Sequence, residues 1–139
     1  MIVLDTNVVS ELMRPDAAPL VFEWAARQPR SALFTTTVTM AEIFYGLELL
    51  AKGRKRLDLT AAATTLFETS FSGRVLSFDT DAAALYATIA AARRKAGRPI
   101  APFDAQIASI ALSRGASLAT RNTADFELCG IPLINPWSP

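Results

Sequence analysis

Short apolar runs alternate with longer helix-like segments along this chain, and that alternation most constrains its fold. The first run, Ile2–Leu4, has the length and apolar character of a buried strand. The later strand candidates are 32–35, 75–78, 117–120 and 132–134. Strands that alternate with helices are typical of a mostly parallel sheet covered by helices on both faces. The pattern therefore predicts an α/β sandwich.

The predicted helices are bounded by residues that commonly begin or end helices. Pro102 suits the first position of one helix, and Gly115 suits its end. A cap at 79–81 precedes a long alanine-rich helix that ends near Ala96, and 52–56 is predicted to be a basic turn. The remaining predicted helices span about 8–13, 17–28, 39–50, 57–71 and 102–114.

The composition excludes several kinds of chemistry. A chain of 139 residues suits one domain, 1–139, and a net charge of +1 excludes an overall basic, DNA-coating protein. The absence of histidine excludes Ser-His-Asp and Cys-His catalysis and histidine zinc sites. Because Cys129 is the only cysteine, any metal site must use oxygen ligands, which favours Mg²⁺ or Mn²⁺.

The sequence predicts a cytoplasmic protein that does not enter the membrane. The first strand begins at once, without the basic and apolar regions of a secretory signal. The most apolar stretch, 82–92, is much shorter than the ~20 residues that span a bilayer.

Four carboxylates lie beside predicted helix starts or strand ends: Asp5, Glu42, Asp104 and Asp125. Each has an ordinary structural explanation. Asp5 suits a helix N-cap, and Glu42 follows Thr39 at the spacing of a capping box. Asp104 would meet the positive end of a helix dipole, and Asp125 suits a turn.

Their shared position also supports a functional interpretation. Parallel strands end at the same edge of a sheet, so these side chains are expected to converge there. Crowded carboxylates raise one another's pKa and oppose folding unless a cation joins them. A hard divalent ion held by oxygens can bind a phosphodiester and activate a water molecule. The pattern is therefore consistent with a metal-dependent phosphodiesterase, but helix capping explains it equally well until further evidence is added.

The ordered set of motifs resembles the PIN-domain ribonucleases of the VapC toxin type, and it is most similar to the FitB-like members. The matching segments cover the whole chain in the expected order. They are Ile2–Glu11, Thr39–Glu42 with Tyr45–Leu47, Phe103–Ala108, Leu118–Asn122 with Asp125–Phe126, and Ile134–Trp137.

This resemblance implies a PIN-like three-layer α/β/α sandwich around a mostly parallel central sheet, with a Mg²⁺ or Mn²⁺ pocket. Asp5 and Asp104 would bind the metal, and Glu42 would join them directly or through water. Thr6 and Thr120 would support the pocket through hydrogen bonds.

The fourth acidic position departs from the pattern of some relatives. Members with Asp directly after Thr-Arg have Asn122 at that place here, and Asp125 follows three residues later. Both are candidate catalytic residues. Because the amide of Asn122 carries no charge, we expect one metal ion rather than two.

The resemblance also implies RNA cleavage that leaves a 3′-hydroxyl and a 5′-phosphate. It implies a cognate VapB-like antitoxin, and a homodimer or a larger toxin–antitoxin assembly. Arg121 is the basic residue nearest the predicted pocket and the first candidate for an RNA backbone contact. Weaker candidates, which suit solvated helix ends better than RNA contacts, are 54–56, 93–95 and Arg98.

Two other classes of protein compete with this interpretation. A haloacid-dehalogenase-like phosphotransferase needs a second Asp two residues after its nucleophile, where this chain has Asn7, and a receiver domain needs an acidic pair and a late lysine that are absent. A degenerate PIN-like module that only binds RNA or protein is the alternative that stays open, although Asp5, Glu42 and Asp104 are all intact.

Overall fold

The computed structural model describes residues 1–139, and its strands form a single parallel sheet with helices on both faces. The strands are β1 (Ile2–Leu4), β2 (Leu33–Thr36), β3 (Val75–Leu76), β4 (Ser117–Ala119) and β5 (Leu133–Ile134). The helices are α1 (Thr6–Leu12), α2 (Pro19–Arg27), α3 (Thr37–Glu48), α4 (Arg54–Thr65), α5 (Thr80–Lys95) and α6 (Pro102–Ser113). The strand order is β3-β2-β1-β4-β5, and every neighbouring pair is parallel. The predicted fold class is confirmed.

Strand β1 lies at the centre of the sheet, and its successive side chains enter different cores. Val3 belongs to a buried cluster with residues of α5 and α6, including Ile89 and Ile107. Leu4 belongs to a second cluster with residues of α1 to α4, including Val8 and Ile43. Because side chains alternate along a strand, an apolar run with no polar residue is what a sheet covered on both faces requires.

The carboxyl edge of the sheet carries the polar residues. β1 ends at Leu4, and α1 begins two residues later with Asp5 as its N-cap. The Asp5 N–H still donates to the Ala119 carbonyl at 2.9 Å, which ties the end of β1 to the end of β4. Asp5 and Thr120, which follows β4, therefore lie side by side.

Two helices begin earlier than predicted. α3 begins at Thr37 rather than near residue 39, because the Thr36 side chain caps it by accepting from the Thr39 N–H at 3.0 Å. The segment Arg54–Arg56, predicted to be a basic turn, forms the first turn of α4. Gly53 precedes it at a φ of 152°, a backbone conformation that glycine adopts without steric cost.

Other boundaries also differ from the prediction. α1 includes Thr6 and Asn7, and β3 stops at Leu76. The helix predicted to reach residue 71 ends at Thr65 and is followed by a π-helical turn, Leu66–Ser70. No helix combines the length and apolar character that membrane crossing requires.

Candidate active site

Asp5 is a buried carboxylate whose two oxygens are both engaged by hydrogen bonds. Only 5% of the residue is exposed. Oδ1 accepts from the Thr6 N–H at 2.8 Å, and Oδ2 accepts from the Thr120 hydroxyl at 2.8 Å. Burial raises the pKa of Asp5, the bonds from Thr120 and Thr6 counteract that rise, and the charges of Glu42 and Asp125 add to it. Asp5 therefore caps α1, as one interpretation predicted, and also lies among other acids.

Glu42 points to Thr6 and takes no part in a capping box. It lies in the second turn of α3, and its Oε1 accepts from the Thr6 hydroxyl at 2.8 Å. The capping-box interpretation is wrong because the helix begins before Thr39, whose buried hydroxyl lies 3.0 Å from the Thr6 hydroxyl. Two threonine hydroxyls thus connect the N-terminus of α1 with α3.

Asp104 is a half-buried acid of the site. It is the third residue of α6, and Pro102 is the first, as the sequence predicted. Burial raises the pKa of Asp104 to about 6, and the negative charges of Asp5, Asp125 and Glu42 contribute. The positive charge of Arg93 acts in the opposite direction. The negative charges of the other three acids therefore all raise the pKa of Asp104.

Asp125 is the second candidate for the fourth acidic position, and its charge acts on the site. It lies in a 3₁₀ helix, Thr123–Phe126, and its side chain is exposed. Its charge raises the pKa of both Asp5 and Asp104. Asn122 is exposed, and its backbone N–H donates to the Thr120 hydroxyl oxygen at 3.1 Å. Of these two residues, Asp125 therefore supplies the negative charge that acts on Asp5 and Asp104, whereas Asn122 helps to orient Thr120.

Thr120 organises a small hydrogen-bond network behind Asp5. Its hydroxyl oxygen accepts from the Asn7 side-chain amide at 3.4 Å, and the Asn7 side-chain oxygen accepts from the Arg121 N–H at 3.3 Å. From the sequence, Thr39 is expected only to cap a helix, and neither Thr39 nor Asn7 is predicted to support the site. Their roles depend on contacts between segments that are distant in sequence, so no local pattern signals them.

The basic candidates have different environments. Arg121 is exposed, and its guanidinium lies 5.1 Å from the centre of the Trp137 ring, a cation–π geometry. Arg93, predicted as a weaker RNA contact, is buried and donates to backbone carbonyls, so that prediction is wrong. The sequence shows Arg93 only as one of three consecutive basic residues at a helix end, so it does not indicate that Arg93 is buried.

The four acids have no basic partner of their own. Five ion pairs occur in the chain, and none of them includes Asp5, Glu42, Asp104 or Asp125. No three Asp, Glu or Cys side chains are grouped so that they could hold a metal ion in this arrangement. Mg²⁺ commonly binds through only one or two carboxylates and retains several water ligands. Carboxylate donors without basic partners therefore suit a hydrated divalent cation, which needs no more than two of them as direct ligands.

The chain is similar to proteins of known families along almost its whole length. The sequence pattern of the PIN domain family matches residues 2–128. The chain is 37% identical to the VapC ribonuclease Y4jK of Sinorhizobium fredii, covering 100% of this chain and 99% of that protein. It is 35% identical to the toxin FitB of Neisseria gonorrhoeae, covering 99% of each chain.

A solved structure shows the same fold. The structure of FitAB bound to an IR36 DNA fragment contains a chain that is 35% identical to this one. The two superpose with a TM-score of 0.92, and the match covers 99% of this chain and 96% of that chain. The match therefore extends over all the elements that carry the four acids.

Proposed function

This chain belongs to the PIN domain family, among the VapC-type toxins of toxin–antitoxin systems, and on that basis we propose that it is a Mg²⁺-dependent endoribonuclease. The observation that carries this proposal is that Thr6 holds Asp5 and Glu42 together by hydrogen bonds, near enough to Asp104 for their charges to act on it. Neither these acids nor Asp125 has a basic partner. Such uncompensated negative charge favours the binding of a divalent cation.

Asp5 and Asp104 would hold Mg²⁺ or Mn²⁺ directly, and Glu42 would join them directly or through a water molecule. When bound, the cation supplies the positive charge that activates a water molecule and stabilises the leaving oxygen of a phosphodiester. Products with a 3′-hydroxyl and a 5′-phosphate are the expected result.

The side chains around the acids hold them in defined orientations. Thr120 fixes one oxygen of Asp5, and Thr6 fixes Oε1 of Glu42. Because these hydroxyls are themselves held by Asn7 and Thr39, the acids lose little conformational freedom when a ligand binds. Arg121, held against Trp137, lies beyond the end of β4, and it would contact an RNA phosphate.

The same proposal includes protein partners: an antitoxin of the VapB or FitA kind, and a second copy of this chain. Large apolar side chains are exposed on α2, on α3 and directly after α3, among them Phe22, Tyr45 and Leu49. A groove of about 620 Å³ lies between α1, α3 and α4, and Thr6 and Glu42 are among its lining residues. A partner segment in this groove would lie beside the proposed site and could block it.

Cleavage of an end-labelled single-stranded RNA tests the proposed activity. The wild-type protein should cleave when Mg²⁺ is added and stop when the metal is chelated. Asp5→Asn should bind the RNA without cleaving it. Asp81→Asn, which changes an exposed acid in the first turn of α5, serves as the matched control and should cleave like the wild type.

RNA binding by the wild type without metal-dependent cleavage would contradict the proposed activity. That result would favour the degenerate module that only binds RNA or protein. An equal cleavage rate for the wild type and Asp5→Asn would also contradict it, because the activity would then come from a contaminating nuclease.

A further inference from the structure

Arg93 is a buried cation without a carboxylate partner. It lies in the last turn of α5, and only 4% of the residue is exposed. None of the five ion pairs of the chain includes it. Burial of an arginine is unfavourable unless its donors are satisfied, so the bonds it makes have to compensate for the lost hydration.

All the hydrogen bonds that Arg93 makes to oxygen go to backbone carbonyls. Its Nε donates to the Arg98 carbonyl at 2.6 Å. Its Nη1 donates to the carbonyls of Asp125 at 2.8 Å and Glu127 at 2.7 Å. One guanidinium therefore joins two segments that are far apart in the sequence.

Each of these segments leads to an acid of the candidate site. Arg98 lies in the loop that runs directly into α6, whose first turn carries Asp104. The other segment is the 3₁₀ turn that carries Asp125 and its continuation to Glu127. A cavity of about 240 Å³ lies between them, and its lining includes Arg93, Asp104 and Asp125.

We propose that Arg93 is a positioning residue that sets the placement of Asp104 relative to Asp125. This inference rests on the proposed nuclease function. Because Arg93 binds Asp125 through its backbone carbonyl, the carboxylate of Asp125 stays free to act in the site. The planar guanidinium reaches three carbonyls at fixed angles, which the single ammonium group of lysine does not reproduce.

The chain supplies a matched control in Arg74, at the far edge of the sheet. Arg74 also joins separate segments through backbone carbonyls, donating to Arg30 at 2.7 Å, to Leu33 and to Ser70. It follows the π-helical turn and precedes β3, and it lines none of the cavities beside the four acids. Arg74→Gln therefore removes the same kind of contact without touching the candidate site.

The first test compares the RNA cleavage kinetics of Arg93→Gln, Arg93→Lys and Arg74→Gln at a temperature where each is folded. We expect both Arg93 variants to lose kcat by about 10-fold or more with little change in KM, as for residues that orient metal-site groups. Arg74→Gln should keep the wild-type kcat. Equal kcat values for Arg93→Gln and Arg74→Gln would overturn the proposal. If Arg93→Gln does not fold, Arg93→Lys, which keeps the buried charge, decides the test in the same way.

A second test needs no catalytic activity and so separates this inference from the proposed function. The Asp125 N–H donates to the Asn122 carbonyl at 3.0 Å, so its hydrogen exchange reports on the 3₁₀ turn. In Arg93→Lys this exchange should accelerate by about 10-fold or more, while amides of β1 keep their rates. Unchanged exchange at Asp125 would overturn the positioning role. Faster exchange combined with a wild-type protein that does not cleave RNA would contradict the nuclease proposal alone.

Discussion

Asp5 and Glu42 are held by the same residue, because Thr6 donates its backbone N–H to Asp5 and its hydroxyl to Glu42, both at 2.8 Å. The first bond follows from the position of Asp5 as the N-cap of α1. The second bond joins α1 to α3. One residue therefore couples an acid at the end of β1 to an acid on a different helix.

Replacement of Thr6 by valine tests this coupling. Thr6→Val keeps the shape of the side chain but removes the donor to Glu42 and the contact with the Thr39 hydroxyl. We expect kcat for RNA cleavage to fall about 10- to 100-fold, as for other residues that orient metal-site groups. The free energy of unfolding should fall by about 1 kcal/mol. Thr6→Ser should retain most of the activity, and a wild-type kcat for Thr6→Val would show that Glu42 needs no support from Thr6.

Replacement of Asp104 by asparagine should separate function from stability. Burial and the negative charges of Asp5, Asp125 and Glu42 act unfavourably on the ionised Asp104. Asp104→Asn should abolish cleavage and leave the free energy of unfolding of the metal-free protein unchanged or raised by about 1 kcal/mol, a figure reduced for the solvent screening of this half-buried group, because asparagine carries no charge. Denaturant unfolding measures this difference. A large loss of stability would instead indicate that the main role of Asp104 is to stabilise the N-terminus of α6.

The raised pKa of Asp104 predicts how the free energy of unfolding of the metal-free protein depends on pH. The pKa of Asp104 is raised from 3.8 to about 6 in the folded protein. Between those values the folded state binds a proton that the unfolded state has lost, so the free energy of unfolding should fall as the pH rises. The difference between Asp104→Asn and the wild type should therefore grow from pH 4 to pH 6 and then level off. A difference that is constant over this interval would contradict the raised pKa.

We expect Arg121, held against the ring of Trp137, to contribute to RNA binding. Arg121→Gln should weaken RNA binding in the absence of metal and reduce the slope of its salt dependence by about one, as expected for the loss of one phosphate contact. Trp137→Leu should weaken binding less, because it frees the guanidinium without removing its charge. Fluorescence anisotropy at several salt concentrations measures both. An unchanged salt slope for Arg121→Gln would exclude the phosphate contact.

Local patterns were sufficient to predict most elements of the fold. Runs such as Ile2–Leu4 are too short and too apolar for anything but a buried strand, and Pro102 marks the start of α6. The threonines near the start of α3 made its boundary ambiguous, because Thr36 and Thr39 are both suitable caps. The pairing of β2 with β3, which extends to Thr36, places the strand end there and makes Thr36 the cap.

The site was less predictable than the fold. Strand ends and helix starts indicated that Asp5, Glu42 and Asp104 would lie near one another, and the family resemblance indicated their roles. The contacts that orient them depend on the strand order, which brings Thr120 beside Asp5 and Thr6 beside Glu42. Arg93 was misinterpreted because its acceptors at 125 and 127 belong to a turn more than thirty residues away in the sequence.

Mn²⁺ binding, measured by isothermal titration calorimetry on the wild type, Asp5→Asn and Asp104→Asn, tests most directly whether these acids form a metal centre. Mn²⁺ is an oxygen-binding ion that can occupy such sites in place of Mg²⁺. A metal centre built on these acids predicts one site per chain in the wild type and binding weaker by about 10-fold or more in each variant. Equal affinities in all three proteins, or no binding to any of them, would contradict it.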